Sequence, residues 1–172
     1  MTEFEPFLDR DEIHRLVADI ADRISGDYKN NDLVLIGVLK GSFIFLSDLA
    51  RQLTIPAEID FIGASSYGAG AQSSENIRLT KPLQIDIRNK HIIIIEDIID
   101  TGLTLAYMVN YIKSFEPSNL KTCALLDKRE RRQVDIDIDY VGRIVEKGFL
   151  VGYGLDYAER YRNLPELYCL KF

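Results

Sequence analysis

The stretch Ile92-Ile93-Ile94-Ile95-Glu96-Asp97-Ile98-Ile99-Asp100-Thr101-Gly102-Leu103-Thr104-Leu105 places three acids and two threonines around one glycine, directly after an apolar run. Its order is strand, acidic pair, tight loop, helix. The first amides of a helix have no intrahelical acceptor, and the helix dipole favours an anion beside them. Gly102 permits a close approach of the main chain, and the hydroxyls of Thr101 and Thr104 can donate. Thr101, Gly102, Leu103 and Thr104 therefore read as a phosphate cradle. It is not a Walker loop, which needs Gly-Lys-Ser/Thr after an earlier glycine. Leu103 occupies the place where a lysine would assist. Glu96 and Asp97 then pose a conflict of sign, because carboxylates repel a phosphate. The conflict resolves if they face hydroxyl groups, as ribose-binding acids do. It also resolves near magnesium, which takes oxygen ligands and bridges phosphates. A ribose with a phosphate at one end and magnesium pyrophosphate at the other meets both demands. An isolated acidic pair at a strand end is ordinarily solvated surface; here acids, loop and helix start are contiguous.

The elements that must position these residues are legible from apolar spacing. Residues 9–24 carry Ile13, Leu16, Val17, Ile20, Ala21 and Ile24 at helical intervals, with Asp9 and Glu12 disposed as a capping box. Residues 33–39 are continuously apolar, the mark of a strand buried on both faces, and they break at Lys40-Gly41-Ser42. A second helix follows with Leu46, Leu49, Ala50 and Leu53 on one face. Residues 57–62 predict a strand, and the glycine-rich residues 65–75 a loop. Leu83, Ile85 and Ile87 alternate with polar residues before a turn at 88–90. Leu105, Met108, Val109, Ile112 and Phe115 form a helix face that ends before Pro117. Residues 120–126 predict another buried strand. Val134, Ile136, Ile138 and Tyr140 alternate with aspartates, as in a strand with one wet face, and residues 149–151 form a last strand. Strands and helices alternating in this way predict an α/β fold, a mostly parallel sheet with helices on both faces. The length of 172 residues predicts one domain over 1–172. In such sheets ligands sit beyond the carboxyl ends of the strands.

Bulk properties narrow the partners. A net charge of -6 argues against non-specific nucleic-acid binding, which needs a basic face. No apolar stretch is long enough to span a bilayer. The acidic start of the chain is unlike a signal peptide, and a cytoplasmic location is expected. Cys123 and Cys169 form neither a disulfide framework nor a zinc set. His14 and His91 stand alone, so no histidine-centred triad is expected.

The segment from Glu96 to Thr104 resembles the phosphoribosyl pyrophosphate motif of the type I phosphoribosyltransferases, most of all their bacterial 6-oxopurine branch, and further matches span nearly the whole chain. The resemblance implies a sheet of the kind described, with a small hood built from terminal segments. It implies transfer of the 5-phosphoribosyl group from phosphoribosyl pyrophosphate to hypoxanthine or guanine, with Mg2+, in a homodimer or homotetramer. Lys40 and Gly41 would form the pyrophosphate loop, entered through a cis peptide after Leu39. Ser66 and Tyr67 would begin a lid. Glu96 and Asp97 would serve ribose and magnesium, and Thr101, Gly102, Leu103 and Thr104 the 5′-phosphate. Asp100 would act as general base towards N7 of the purine, and Lys128 would donate to its 6-oxo group. Phe149 would stack on the base and the Leu150 main chain would bond its edge. Asp156 would act in the outer magnesium shell, and Arg162 near the pyrophosphate. Leu103 replaces a basic or polar residue common in the family's loop, and Gly154 stands where other members carry a small residue. Two rival readings are a phosphoribosyl pyrophosphate-sensing nucleic-acid-binding regulator on the same fold and a different nucleotide enzyme such as a kinase. The first would lack the acid at position 100 and the second would carry a Walker lysine.

Overall fold

The apolar runs form the centre of one sheet. The computed structural model describes residues 3–66 and 77–171. Its main sheet contains β2 (Leu33–Leu39), β3 (Ala57–Ser66), β4 (Ile77–Lys81), β5 (His91–Ile99), β6 (Asn119–Lys128) and β7 (Tyr140–Val145). Their spatial order is β4-β3-β2-β5-β6-β7. Every neighbouring pair is parallel except β3 with β4. Side chains alternate across a strand, and the four isoleucines of β5 divide accordingly. Ile93 and Ile95 pack with Val17, Ile20, Phe45 and Leu49 from α1 (Arg10–Asp27) and α2 (Phe43–Gln52). Ile92 and Ile94 pack on the opposite face with Leu105, Met108 and Ile112 from α3 (Leu103–Lys113). The capping box is present: Glu12 N donates to Asp9 at 2.8 Å and Asp9 N donates to Glu12 at 3.0 Å. The helix it starts continues to Asp27, past the predicted end at 24.

A second, antiparallel sheet has the order β1-β9-β8, from β1 (Glu3–Leu8), β9 (Leu167–Lys171) and β8 (Phe149–Val151). This is the expected hood of terminal segments. Among the described residues, no helix is long and apolar enough to cross a membrane.

Three readings of local pattern need correction. Leu83, Ile85 and Ile87 do not form a strand; they belong to an irregular segment whose apolar side chains pack on the core beneath α3. Val134, Ile136 and Ile138 likewise precede β7 rather than belonging to it, and their alternation reflects one-sided burial without a ladder partner. Ser65 and Ser66 continue β3 instead of opening a loop, and residues 67–75 of that loop lie outside the described residues.

Asp60, buried in β3, replaces the missing ladder beside β4. Its carboxylate accepts from the amides of Phe61 (2.7 Å), Gln84 (2.7 Å) and Ile85 (3.3 Å), and it pairs with Lys81 at 3.1 Å. Burial alone would raise its pKa; the amide donors and Lys81 outweigh that and hold it below the usual carboxylate range. A carboxyl with a depressed folded pKa stabilises above its unfolded pKa and loses that contribution as pH falls through the folded value. Asp60→Ala is expected to reduce the unfolding free energy by roughly 2–3 kcal/mol, measured by denaturant titration at neutral pH. The native chain should also lose stability more steeply than Asp60→Asn as the pH drops below about 4.

Candidate active site

The carboxyl ends of β2, β3 and β5 open into a cleft of about 300 Å³, lined among others by Lys40, Gly41, Glu96, Asp97, Asp100 and Arg162. Register explains who meets whom. Gly37 of β2 lies beside Ile95 of β5, so the chain leaving β2 arrives over Asp97. The Leu39–Lys40 peptide is cis, as the resemblance implied. A Cβ on Gly41 would overlap the Asp97 carboxylate, and one on Gly154 would overlap the Gly41 carbonyl. Glycine at 41 thus lets the chain leaving β2 close on the Asp97 carboxylate, and glycine at 154 lets a further segment close on Gly41.

On the other side, Ile99 of β5 lies beside Asp127 of β6, which places Asp100 next to Lys128. Their charged groups are 3.7 Å apart. Lys128 is buried, and so are Glu96 and Asp97. An adjoining cleft of about 160 Å³ is lined by Lys128, Phe149 and Leu150, and it shares Asp97, Asp100 and Asp156 with the larger one. Phe149 is half exposed and meets Tyr157 edge-on at 5.6 Å. Asp156 pairs with Arg162 at 2.8 Å. Ser66 ends β3, and Tyr67 lies outside the described residues.

Thr101 and Thr104 line the larger cleft with Gly102, and Leu103 is the first residue of α3. Gly102 is the N-cap of α3 with φ 83, a left-handed conformation that glycine adopts without steric cost. As a glycine the N-cap has no capping side chain, and Leu103 N donates weakly to Thr101 Oγ1 at 3.4 Å. The first-turn amides of α3 therefore lack an intrahelical acceptor and suit an anion. The loop is braced from behind. Gln133 N and Val134 N donate to the Thr101 carbonyl at 2.9 and 3.3 Å. Arg132 donates to the carbonyls of Ile99 (3.2 Å), Asp100 (3.0 Å) and Lys128 (3.3 Å), and pairs with buried Asp127.

The electrostatics separate two kinds of acid. Burial, with the charge of Asp97 beside it, pushes Glu96 well above the usual carboxyl range. Burial pushes Asp97 up to about 6, opposed by nearby amides and by Arg162. Among the described residues, no lysine or arginine lies within ion-pair distance of either carboxyl. Asp100 is differently placed. Its Oδ2 accepts from Arg131 Nε and Nη2 at 3.0 and 2.7 Å, whereas its Oδ1 is buried without a hydrogen-bond partner.

The sequence model of the family described as "Phosphoribosyl transferase domain" matches residues 7–158. This chain belongs to the phosphoribosyltransferase family. It is 44% identical over 156 residues to a hypoxanthine phosphoribosyltransferase of Salmonella typhimurium, covering 90% of this chain and 88% of that protein. It is 44% identical over 165 residues to a hypoxanthine-guanine phosphoribosyltransferase of Aquifex aeolicus, covering 95% and 93%. The fold matches a crystal structure of a hypoxanthine-guanine phosphoribosyltransferase from Bacillus anthracis at TM-score 0.93 and 39% identity, over 100% of both chains.

For a phosphoribosyltransferase, the acid pair is also the test of a metal. Among the described residues, no group of three or more His, Cys, Asp or Glu side chains is disposed to hold an ion alone. Magnesium does not require one, since it keeps several waters and takes one or two carboxylates together with substrate phosphates. Two buried acids without a cationic partner fit that donor set. Sequence reasoning left out Arg131, Arg132, Asp127 and Glu159. Arg129, Arg131 and Arg132 form a charge cluster of a kind that ordinarily means solvated surface, and only the fold turns Arg132 under the loop at 101–104.

Gly41→Ala is expected to leave the fold intact, by circular dichroism, while phosphoribosyl transfer falls by at least ~10-fold, because the added methyl displaces Asp97. The measurement is the rate of pyrophosphate release.

Proposed function

We propose that this single domain over residues 1–172 transfers the 5-phosphoribosyl group of phosphoribosyl pyrophosphate to hypoxanthine or guanine, giving IMP or GMP and pyrophosphate. One observation carries the choice of base: Asp100 and Lys128 stand side by side, an acceptor and a donor 3.7 Å apart in the smaller cleft. A 6-oxopurine with a proton on N7 offers the complementary edge, an N–H beside a carbonyl oxygen. A 6-amino group would meet Lys128 with donors of its own.

In this reading the amides of residues 101–104 and the hydroxyls of Thr101 and Thr104 grip the 5′-phosphate. Glu96 and Asp97 face the ribose diol. Phe149 lies against the base and the Leu150 main chain bonds its edge. Purine N9 attacks the anomeric carbon while the bond from that carbon to the pyrophosphate oxygen breaks, the electron pair leaving with pyrophosphate. The N7 proton passes to Asp100. Lys40 and Arg162 hold the departing anion, and the acids beneath the ring favour its cationic character. Magnesium would be held by Glu96 and Asp97, with Asp156 acting through water, and would supply positive charge to the pyrophosphate. Ser66 and Tyr67 would open the lid that keeps water from the sugar. The proposed assembly is a homodimer or homotetramer in the cytoplasm.

The test is an assay of phosphoribosyl pyrophosphate and magnesium with each purine and pyrimidine base, following pyrophosphate release. Hypoxanthine and guanine should react, and adenine and the pyrimidines should not. A chelator should abolish the reaction and added magnesium restore it. Asp100→Asn should slow turnover of hypoxanthine by roughly 10²–10⁴-fold. Lys128→Ala should weaken discrimination against adenine. Unchanged turnover in Asp100→Asn, or preserved selectivity in Lys128→Ala, removes that residue from its role.

A further inference from the structure

The two cations that the proposed reaction assigns to pyrophosphate are joined by a carboxylate of the chain itself. Glu159 Oε2 lies 2.8 Å from Lys40 Nζ, and Glu159 Oε1 lies 3.3 Å from Arg162 Nη2. Each oxygen takes a different cation, so the carboxylate bridges them as two oxygens of one phosphate would. Arg162 is otherwise fixed from the side: Nη1 donates to the Gly154 carbonyl at 2.8 Å, and Nη2 pairs with Asp156 at 2.8 Å. Its Nε is buried and has no hydrogen-bond partner among the described residues. Arg162 thus retains a donor that the described residues leave unused.

The backbone at Glu159 points the same way. Tyr157 and Arg160 exchange both main-chain hydrogen bonds at 3.1 Å, closing a two-residue hairpin turn. Its central residues, Ala158 and Glu159, have φ of 50 and 63. Positive φ at both central positions is the type I′ pattern, which favours Asn-Gly. A glutamate there adopts a conformation that side chains disfavour, and such an outlier motivates a functional hypothesis. What the position gains is the bridge to Lys40 and Arg162.

We propose that Glu159 is a built-in counter-anion of the pyrophosphate subsite, which incoming phosphoribosyl pyrophosphate must displace and which re-forms as pyrophosphate leaves. The inference rests on the assignment of Lys40 and Arg162 to pyrophosphate. It makes Glu159 a determinant of affinity at one end of the cleft only. The pair with Lys40 is exposed on both sides, so its effect is modest.

Steady-state kinetics of Glu159→Gln test it. The KM for phosphoribosyl pyrophosphate and the inhibition constant of magnesium pyrophosphate should each fall by about threefold, while the KM for hypoxanthine stays unchanged. Glu159→Gly, which also relieves the left-handed backbone, should give the same tightening with an equal or higher melting temperature. Unchanged or weaker binding of both anions in Glu159→Gln overturns the proposal. So does tightening in Glu159→Gly alone, since that would be an effect of the backbone. Lys40→Ala separates the two claims: if it does not weaken phosphoribosyl pyrophosphate, the subsite assignment fails, whatever Glu159 does.

Discussion

Two carboxyl groups, Glu96 and Asp97, are buried at the end of a strand that is itself buried on both faces. Burying an acid without a cationic partner is costly, and the group responds by resisting ionisation. Both acids show that response, with burial as its main cause. The surroundings are built to keep them there. Gly41 lacks the side chain that would push the main chain off Asp97, and Gly154 the one that would displace Gly41. The rest of the site surrounds this point: the loop at 101–104, the Asp100 and Lys128 pair, and the cations Lys40 and Arg162 line the same two adjoining clefts. A fold that hides two acids beside a donor-rich helix start suits the magnesium phosphoribosyl pyrophosphate proposed above, which brings hydroxyls and anions together.

The apparatus that holds the site is less visible than the site. Arg132 ties the carbonyls of Ile99, Asp100 and Lys128 to one guanidinium, and buried Asp127 keeps that guanidinium in place. The end of β5 and the end of β6 are therefore fixed relative to each other, and with them the acceptor and donor proposed to read the base. Rigid support of this kind is what a site needs if reacting groups are to be placed within a fraction of an ångström.

Much of this was readable from residue order. The apolar runs of β2 and β5 read as strands covered on both faces, and the sheet buries them on both faces. Asp9 and Glu12 announced the start of α1, and the glycine-threonine loop announced the start of α3. The misread segments share a cause. Leu83 to Ile87 and Val134 to Ile138 alternate as strands do, yet their main-chain groups are met by side chains and loops such as Asp60 and Thr101. Periodicity reports which side is buried, not whether a ladder partner exists. The terminal strands β1 and β9 pair with each other across the length of the chain, a contact that no local pattern encodes. The proposed role of Glu159 was hidden for the same reason on one side, since Lys40 lies 119 positions away.

If the buried acids are kept for a ligand, removing their charge must help the fold and harm binding. A carboxyl whose folded pKa is raised subtracts stability once the pH exceeds its unfolded value. The direct measurement is thermal unfolding at pH 7.5 of the native chain and of a Glu96→Gln, Asp97→Asn double variant, each with and without magnesium phosphoribosyl pyrophosphate. The variant should melt higher than the native chain without ligand and gain nothing on its addition, whereas the native chain should shift upward. A variant that melts lower, or that is stabilised by the ligand as much as the native chain, would contradict the account.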